Sequence, residues 1–541
     1  MSFTDDLAIK LTLTIAGQAS TIPEGQVKSL ELSLHSYGYE GRISFVVSAE
    51  QASDTLLTPF TQQGLIEVGL VVGTYIKPQG AQSQTLTLKG IATDRGFTEH
   101  TLADKDLAQN PVLYRLYHVS FADPAQVLWQ QHYPCGLLVN ATLKTLIGNH
   151  AGQKITLSYA WSALDTQYTM LALPLGAEAN RASFYDFVMW LTNTQDGVFT
   201  YDTAANSYKF SSAKDASGTP VALDFLEVQG HSVELPAVLR YQPQVLNAYS
   251  EDPQTKQVAN AQKVDPIRHD YIARYPIAAD LNARVTLETA RFVQRKPEVR
   301  VQYQRFPLKV SPPNTLVKFS GAGWLSTLYV NGKNYRVRDW QLKARSVEQE
   351  LTMDHNMPYA RYDMDLGLVL ESSDETWVSL PPFVAPHYPL LVEGKVVSDQ
   401  GEDTDSTFSN VQDQNTSLTY YEVSIPLWSN LKIRAPFEPN LTMGQFYFPF
   451  YKNERVLMAL NLTSANVIEF LDWRSGAALP VDTQGNQLVM GKSTTNQTSM
   501  QHTYVDQKPQ FQVLRKNASD TELLKMSEGS ILLQTQEEEQ Q

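Results

Sequence analysis

The sequence predicts a mainly β protein with an α+β insert: two barrels, a smaller OB-type barrel and a C-terminal intertwined trimeric β-helix. Three observations carry that expectation. Apolar and polar residues alternate through residues 7–121 and again through 223–375, the period of strands with one buried face. Between these stretches, residues 122–222 carry helix-start signals. Beyond a proline-rich break, short strand-like runs follow one another and give way to a polar tail.

The first segment, 1–121, contains runs such as LAIKLTLTIAG, VKSLELSLHSYGYEGRISFVVS and QTLTLKGIATDRGF, rich in the residues that fit a pleated, half-buried surface. A barrel is expected there. In the insert, Asp123 and Pro124 place a capping carboxylate and an N1 proline ahead of AQVLWQQHY. Asn140 is positioned to cap ATLKTLIG and Ser183 to cap FYDFVMWLTNT, whose Phe184, Phe187, Val188 and Leu191 recur at helical spacing. Asp196-Gly197 closes that helix and launches VFTYDTAANSYKFSS as a hairpin. Residues 223–375 read as strands of a second barrel, with Asn331-Gly332 as a type I′ turn. Clustered prolines make 376–389 a linker, and 390–480 reads as the OB-type barrel with 399–417 as its long loop.

The last segment, 481–541, is too polar to fold alone. Its apolar residues alternate in pairs, Phe511/Val513, Leu524/Met526 and Ile531/Leu533, with too little area to offset a backbone ordering cost of about 1–2 kcal/mol per residue. The expected solution is intertwining with two further copies, each chain closing the others' strand edges, with these six residues as the trimer packing. The terminal QEEEQQ is expected to be a frayed tip.

Composition narrows function further. A length of 541 residues predicts three or four domains. A formal charge of -14 argues against nucleic acid and anionic lipid surfaces as partners, because both require clustered Lys and Arg. No apolar run reaches the roughly 20 residues that span a bilayer, and Asp5 and Asp6 stand where a signal peptide carries positive charge, so synthesis and assembly in the cytoplasm are expected. The single cysteine, Cys135, allows neither an intrachain disulfide nor a thiolate metal cluster.

Each chemical motif competes with a plainer reading. Cys135 lies three residues from His132, yet no third orienting group is indicated, so an incidental cysteine is favoured. Gly485 and Gly491-Lys492-Ser493 have the wrong spacing for a phosphate loop, and no helix is expected to follow. Asp363 and Asp365 share a strand face and could hold a cation, but a solvated edge is the better reading. The run STTNQTS (493–499) fits an outward strand face better than a glycan site. The ten histidines contain no HxxxH pair; His502 stays open as an axial metal ligand, since a threefold axis would turn one residue into three ligands. No catalytic residue, cofactor or other metal ligand is expected.

Several phrases, in order, resemble the VgrG-like hub and spike family of contractile injection systems, in layout nearest the fused spikes of anti-feeding-prophage-type particles. They are DPAQVLWQQHYP with TLKTLIG, SFYDFVMWLTNTQDGVFTYD, GWLSTLYVNGKNYRVRDWQLKA, and KSTTNQTSMQHTYVDQKPQFQVLRKNASDTELLKMSEGSILLQT. The family's Gly-Asp-Pro-type turn is replaced by YKNERVLMALNLTS, and too few residues separate VIEFLDW from the tail to hold an inserted muramidase. The resemblance implies a homotrimeric baseplate hub and membrane-puncturing spike that adapts a six-fold inner tube to a three-fold tip, as part of a phage-tail-like particle. It implies inner-tube protein, baseplate proteins and a PAAR-type tip protein as partners, and contact with a target membrane by puncture alone. The competing classes are a trimeric tail-fibre-like adhesin and a β-rich cell-wall hydrolase.

Overall fold

The computed structural model describes residues 3–48, 54–78, 80, 82–102, 112–351, 356–403, 405, 407–414, 417–437, 448–471 and 485–537. The expected boundary at 480/481 and the tip residues 538–541 lie outside them.

Eight strands make a closed antiparallel ring. They are β1 (Phe3–Ile15), β2 (Val27–His35), β3 (Gly38–Ser48), β4 (Ile66–Thr74), β5 (Leu86–Leu102), β6 (Val112–Ala122), β7 (Asn334–Ser346) and β8 (Ala360–Ser372). Hydrogen bonding runs β1-β4-β5-β6-β3-β2-β7-β8 and returns to β1 through Phe3↔Met364 to Leu7↔Ala360. The alternation seen in the sequence is what closes it. Leu7, Ile9, Leu11 and Leu13 of β1 and Tyr362, Met364, Leu366, Leu368 and Leu370 of β8 are buried, while the alternate residues between them face outward.

The barrel expected within 1–121 is therefore completed by strands from 334–372. Closing a sheet needs every edge paired; Gln18–Ile22 covers one edge of β1 over Leu11–Ile15, but the first six strands leave β1 over Phe3–Leu7, and β2 throughout, without a neighbour on one side. The same two strands, β7 and β8, carry further strands, while Gln242–Asn247, Gln254–Gln257 and Arg268–Ala273 form a separate three-stranded sheet. Leu316–Phe319 and Val221–Leu223 extend the sheet beyond β7, and Glu298–Tyr303 and Val228–Glu234 extend it beyond β8. His231, on Val228–Glu234, packs its ring 5.5 Å from Phe319, so side chains bring these two flanks together. Asn331-Gly332 is not a tight hairpin: Asn331 makes one isolated bridge to Phe319, and residues 320–333 form a longer connection.

In the insert, α1 (Pro124–Trp129) starts where Asp123 accepts from the Gln126 amide, and α3 (Phe184–Thr194) starts in a reciprocal Ser183/Asp186 capping box. The helix α2 (Leu143–His150) begins later than expected: Asn140 lies in the strand Cys135–Thr142, and the Thr142 hydroxyl accepts from the Thr145 amide. Beyond the insert, the helix α4 (Ala278–Arg291) was not anticipated. It follows Ile277, which offers no capping side chain, and buries only Leu281 and Glu288, so it carries neither of the usual signals.

The chain divides into two compact units. One comprises 1–133, 147–165 and 181–386; the other comprises 134–146, 166–180 and 387–541. The insert is thus shared between them. In the second unit, Leu137, Met170 and Ala172 join a core with Val423, Ile425, Met458 and Leu460, built on strands between Leu390 and Phe470. Residues 376–389 are extended but anchored, with the Val384 amide donating to Asp186 and the Tyr388 hydroxyl to the Ala172 carbonyl.

Candidate functional site

The described tail forms five strands: β9 (Gly485–Ser493), β10 (Asn496–Val505), β11 (Lys508–Asn517), β12 (Asp520–Ser527) and β13 (Ser530–Gln536). They pair in sequence order as an antiparallel meander. Two-residue turns join them, and non-glycine residues take left-handed backbone there: Asp506 at φ 48°, Gln507 at 65°, Ala518 at 55° and Glu528 at 38°. At Asp506-Gln507 and Glu528-Gly529 both central residues have positive φ, which gives a twist that matches paired strands. Within the chain each strand thereby bonds its neighbours in sequence. The signal missed was these turns, because Asp-Gln and Ala-Ser are weak hairpin markers.

Registers fix which side chains share a face. One cross-strand row is Leu488, Met500, Val513, Leu524 and Leu533; the next on the same face is Asn486, His502, Phe511, Met526 and Ile531. All six tail residues singled out from the sequence, Phe511, Val513, Leu524, Met526, Ile531 and Leu533, stand in these two rows. The opposite face carries Gln487, Gln501, Gln512, Lys525 and Leu532 in one row and Val489, Ser499, Leu514, Leu523 and Gln534 in the next, and Gln512 donates to the Gln501 amide oxygen. In the single chain the apolar rows remain open: Leu533 is 77% exposed and Ile531 70%. His502 lies among them, its ring 5.2 Å from that of Tyr504.

The remaining motifs are absorbed structurally. Lys492 sits in β9 and pairs with Asp405 at 2.8 Å, so the glycines around it hold a strand and not a phosphate loop. Asp363 accepts from the Thr4 hydroxyl and Asp365 from the Gln302 amide. Among the described residues there is no group of three or more metal-ligating side chains, and no helix long and apolar enough to cross a membrane. Cys135 is exposed, and His132 Nε2 instead lies 2.9 Å from His150 Nδ1, both rings packed on Phe184.

Sequence missed a buried ion network. Glu371 receives Lys214 at 2.7 Å and Arg336 at 3.2 Å, and Arg336 donates further to the carbonyls of Asp215 and Ser373. Burial pulls the Lys214 pKa down against the pull of Glu371. Every charge here is paired, so the cluster fastens β7 and β8 to the insert.

Comparison with known proteins returns structures alone. No family model matches the sequence, and no curated protein matches it. A chain of a lidless PdpA–VgrG complex superposes with a TM-score of 0.73 at 12% identity, covering 98% of this chain and 98% of that one. A chain of the half-lidded Francisella PdpA–VgrG complex gives 0.74 at 11% identity over 98% of this chain and 88% of that one. The lidded Francisella complex gives 0.73 at 10% identity, over 98% and 80%. The chain therefore has, along nearly its whole length, the fold of a chain in these assemblies.

Proposed function

We propose that this chain, built on the fold of the PdpA–VgrG complex chains, is the central baseplate hub and membrane-puncturing spike of a contractile, phage-tail-like injection apparatus. The observation that carries the reading is the two-row apolar face of the tail meander. A five-stranded sheet with Leu533 and Ile531 largely bare is not a stable end state in water. Three copies turning that face toward a common axis make a three-walled prism, one meander per wall, with Leu488, Met500, Val513, Phe511, Leu524, Met526, Ile531 and Leu533 inside and the glutamine row outside.

In this reading the ring and the strands flanking β7 and β8 act as two related β units in each chain, so a trimer offers six faces to a six-fold inner tube. Work is mechanical in this reading: contraction of a sheath supplies force, and the narrow prism concentrates it on a membrane. Inner-tube protein, baseplate proteins and a PAAR-type tip protein are the expected partners, with no nucleic acid and no catalytic step. His502 would then face the axis in triplicate, beside Phe511, where a polar strand position and an axial ligand are both accommodated.

Light scattering on the full chain tests the assembly. Three chain masses are expected, falling to one on removal of residues 485–541 or on Leu524→Asp with Leu533→Asp. A monomer in every sample rejects the proposal.

A further inference from the structure

Asp196 breaks the local rules around it. It follows the C-terminus of α3, where the helix macrodipole already presents negative charge and disfavours a carboxylate. Its backbone is left-handed, at φ 56°. Burial raises its pKa above the ordinary carboxylate value, opposed only by the charge of Arg291. No hydrogen bond or ion pair among the described residues reaches its side chain, although Glu288 nearby is clasped by Arg284 at 2.8 Å and Arg291 at 3.0 Å. Arg291, which could have compensated it, is committed to Glu288 and Asn193.

This carboxylate lines a cavity of about 250 Å³ within one unit, shared with Tyr241, Tyr271, Phe292 and Trp377. Those aromatics already serve as a cation-receiving surface: Arg284 lies 5.6 Å from the Tyr271 centroid and Arg295 3.9 Å from that of Trp377. Of the two lining carboxylates, Glu288 is held by Arg284 and Arg291, and Asp196 is the one to which no hydrogen bond or ion pair among the described residues reaches. The volume is below the range of about 300–1,000 Å³ usual for cofactor and drug-sized ligands, and suits a single side chain.

We propose that this cavity is a receptor for an alkylammonium group, the side chain of a lysine presented by a partner protein. An ammonium placed there meets a carboxylate with no other partner, the carbonyl end of α3, and aromatic walls along its methylene stem. Local conflicts of this kind mark positions shaped for an interaction and not for stability. The inference does not depend on the trimeric prism.

The probe is Nα-acetyl-lysine methylamide, titrated by ligand-observed NMR against the full chain at neutral pH. Saturable binding near the millimolar range is expected, weakening at least tenfold in Asp196→Asn and absent for the Nε-acetylated probe. Asparagine tolerates the left-handed backbone, so that variant keeps its fold. As a check without mutation, binding by the unaltered chain is expected to fade as acid protonates Asp196. No saturable binding, equal affinity in Asp196→Asn, equal affinity for the acetylated probe, or indifference to acid would each overturn the proposal.

Discussion

Asp123 is a fully buried carboxylate that holds three elements at once. It caps α1 through the Gln126 amide, accepts from the Tyr39 amide of β3, and receives the Tyr208 hydroxyl. Replacing it by alanine removes the cap and strands buried donors, and is expected to cost about 2–4 kcal/mol, read from the urea midpoint. A loss below about 0.5 kcal/mol would show that water replaces the carboxylate there. The cap itself was legible, since Asp-Pro before an apolar run has one local meaning; the long-range bonds to Tyr39 and Tyr208 were not, because nothing in the spacing reports them. The His132–His150 pair was likewise illegible, being assembled from a turn after α1 and the end of α2. Burial lowers both imidazole pKa values from the ordinary 6.5, and the charge of His132 lowers that of His150 further. The folded chain therefore binds fewer protons than the unfolded one below that value, and stability falls as pH drops. The thermal midpoint should decline between about pH 7 and 5, and His150→Gln should flatten the decline. An unchanged slope in that variant would assign the effect elsewhere.

Among the elements, the tail shows how far alternation alone carries a reading. Phe511/Val513, Leu524/Met526 and Ile531/Leu533 gave one face of a sheet correctly, because side-chain period in a strand is fixed by the backbone. Chain connectivity was not recoverable, since it resides in turns made by residues with little turn preference. Those turns hold non-glycine residues in left-handed backbone, where each pays a steric cost of about 1 kcal/mol. Changing Asp506-Gln507 to Asn-Gly should therefore raise the melting temperature of the tail while leaving assembly intact. A lowered temperature would mean that the Asp506 or Gln507 side chain makes contacts in the assembled state that outweigh the strain. The two faces should also respond differently to charge. Val513→Asp is expected to abolish assembly, whereas Gln512→Asp on the polar row should leave it within a factor of a few; equal effects would mean that the apolar rows are not the packed face.

At the scale of the whole chain, the governing feature is that β7 and β8 close the ring and also carry the flanking strands of the same sheet. Strand text was legible in both segments, but the partition into a barrel before the insert and a barrel after it was not, because pairing between residues more than 300 apart leaves no trace in local pattern. Phe3↔Met364 and Ser29↔Arg345 are such pairs. The ring closes only when 334–372 has been made, so residues 1–122 cannot bury Leu7, Ile9, Leu11 and Leu13 by themselves without leaving β1 and β2 open at their edges. A fragment of residues 1–222 is accordingly expected to be aggregated or to exchange its amides freely. Expressed together with 223–541, it should regain protection in β1 and β2, since the missing edges are supplied in trans. Should the fragment alone show slow exchange through β1, the first six strands would have to close on one another, and the shared-strand arrangement would be wrong. The same logic bears on force. Because β7 and β8 join the ring to its flanking strands and are held by Arg336, Lys214 and Glu371, load applied to either part is shared across ladders, and Glu371→Gln should weaken both together by leaving two buried cations unpaired.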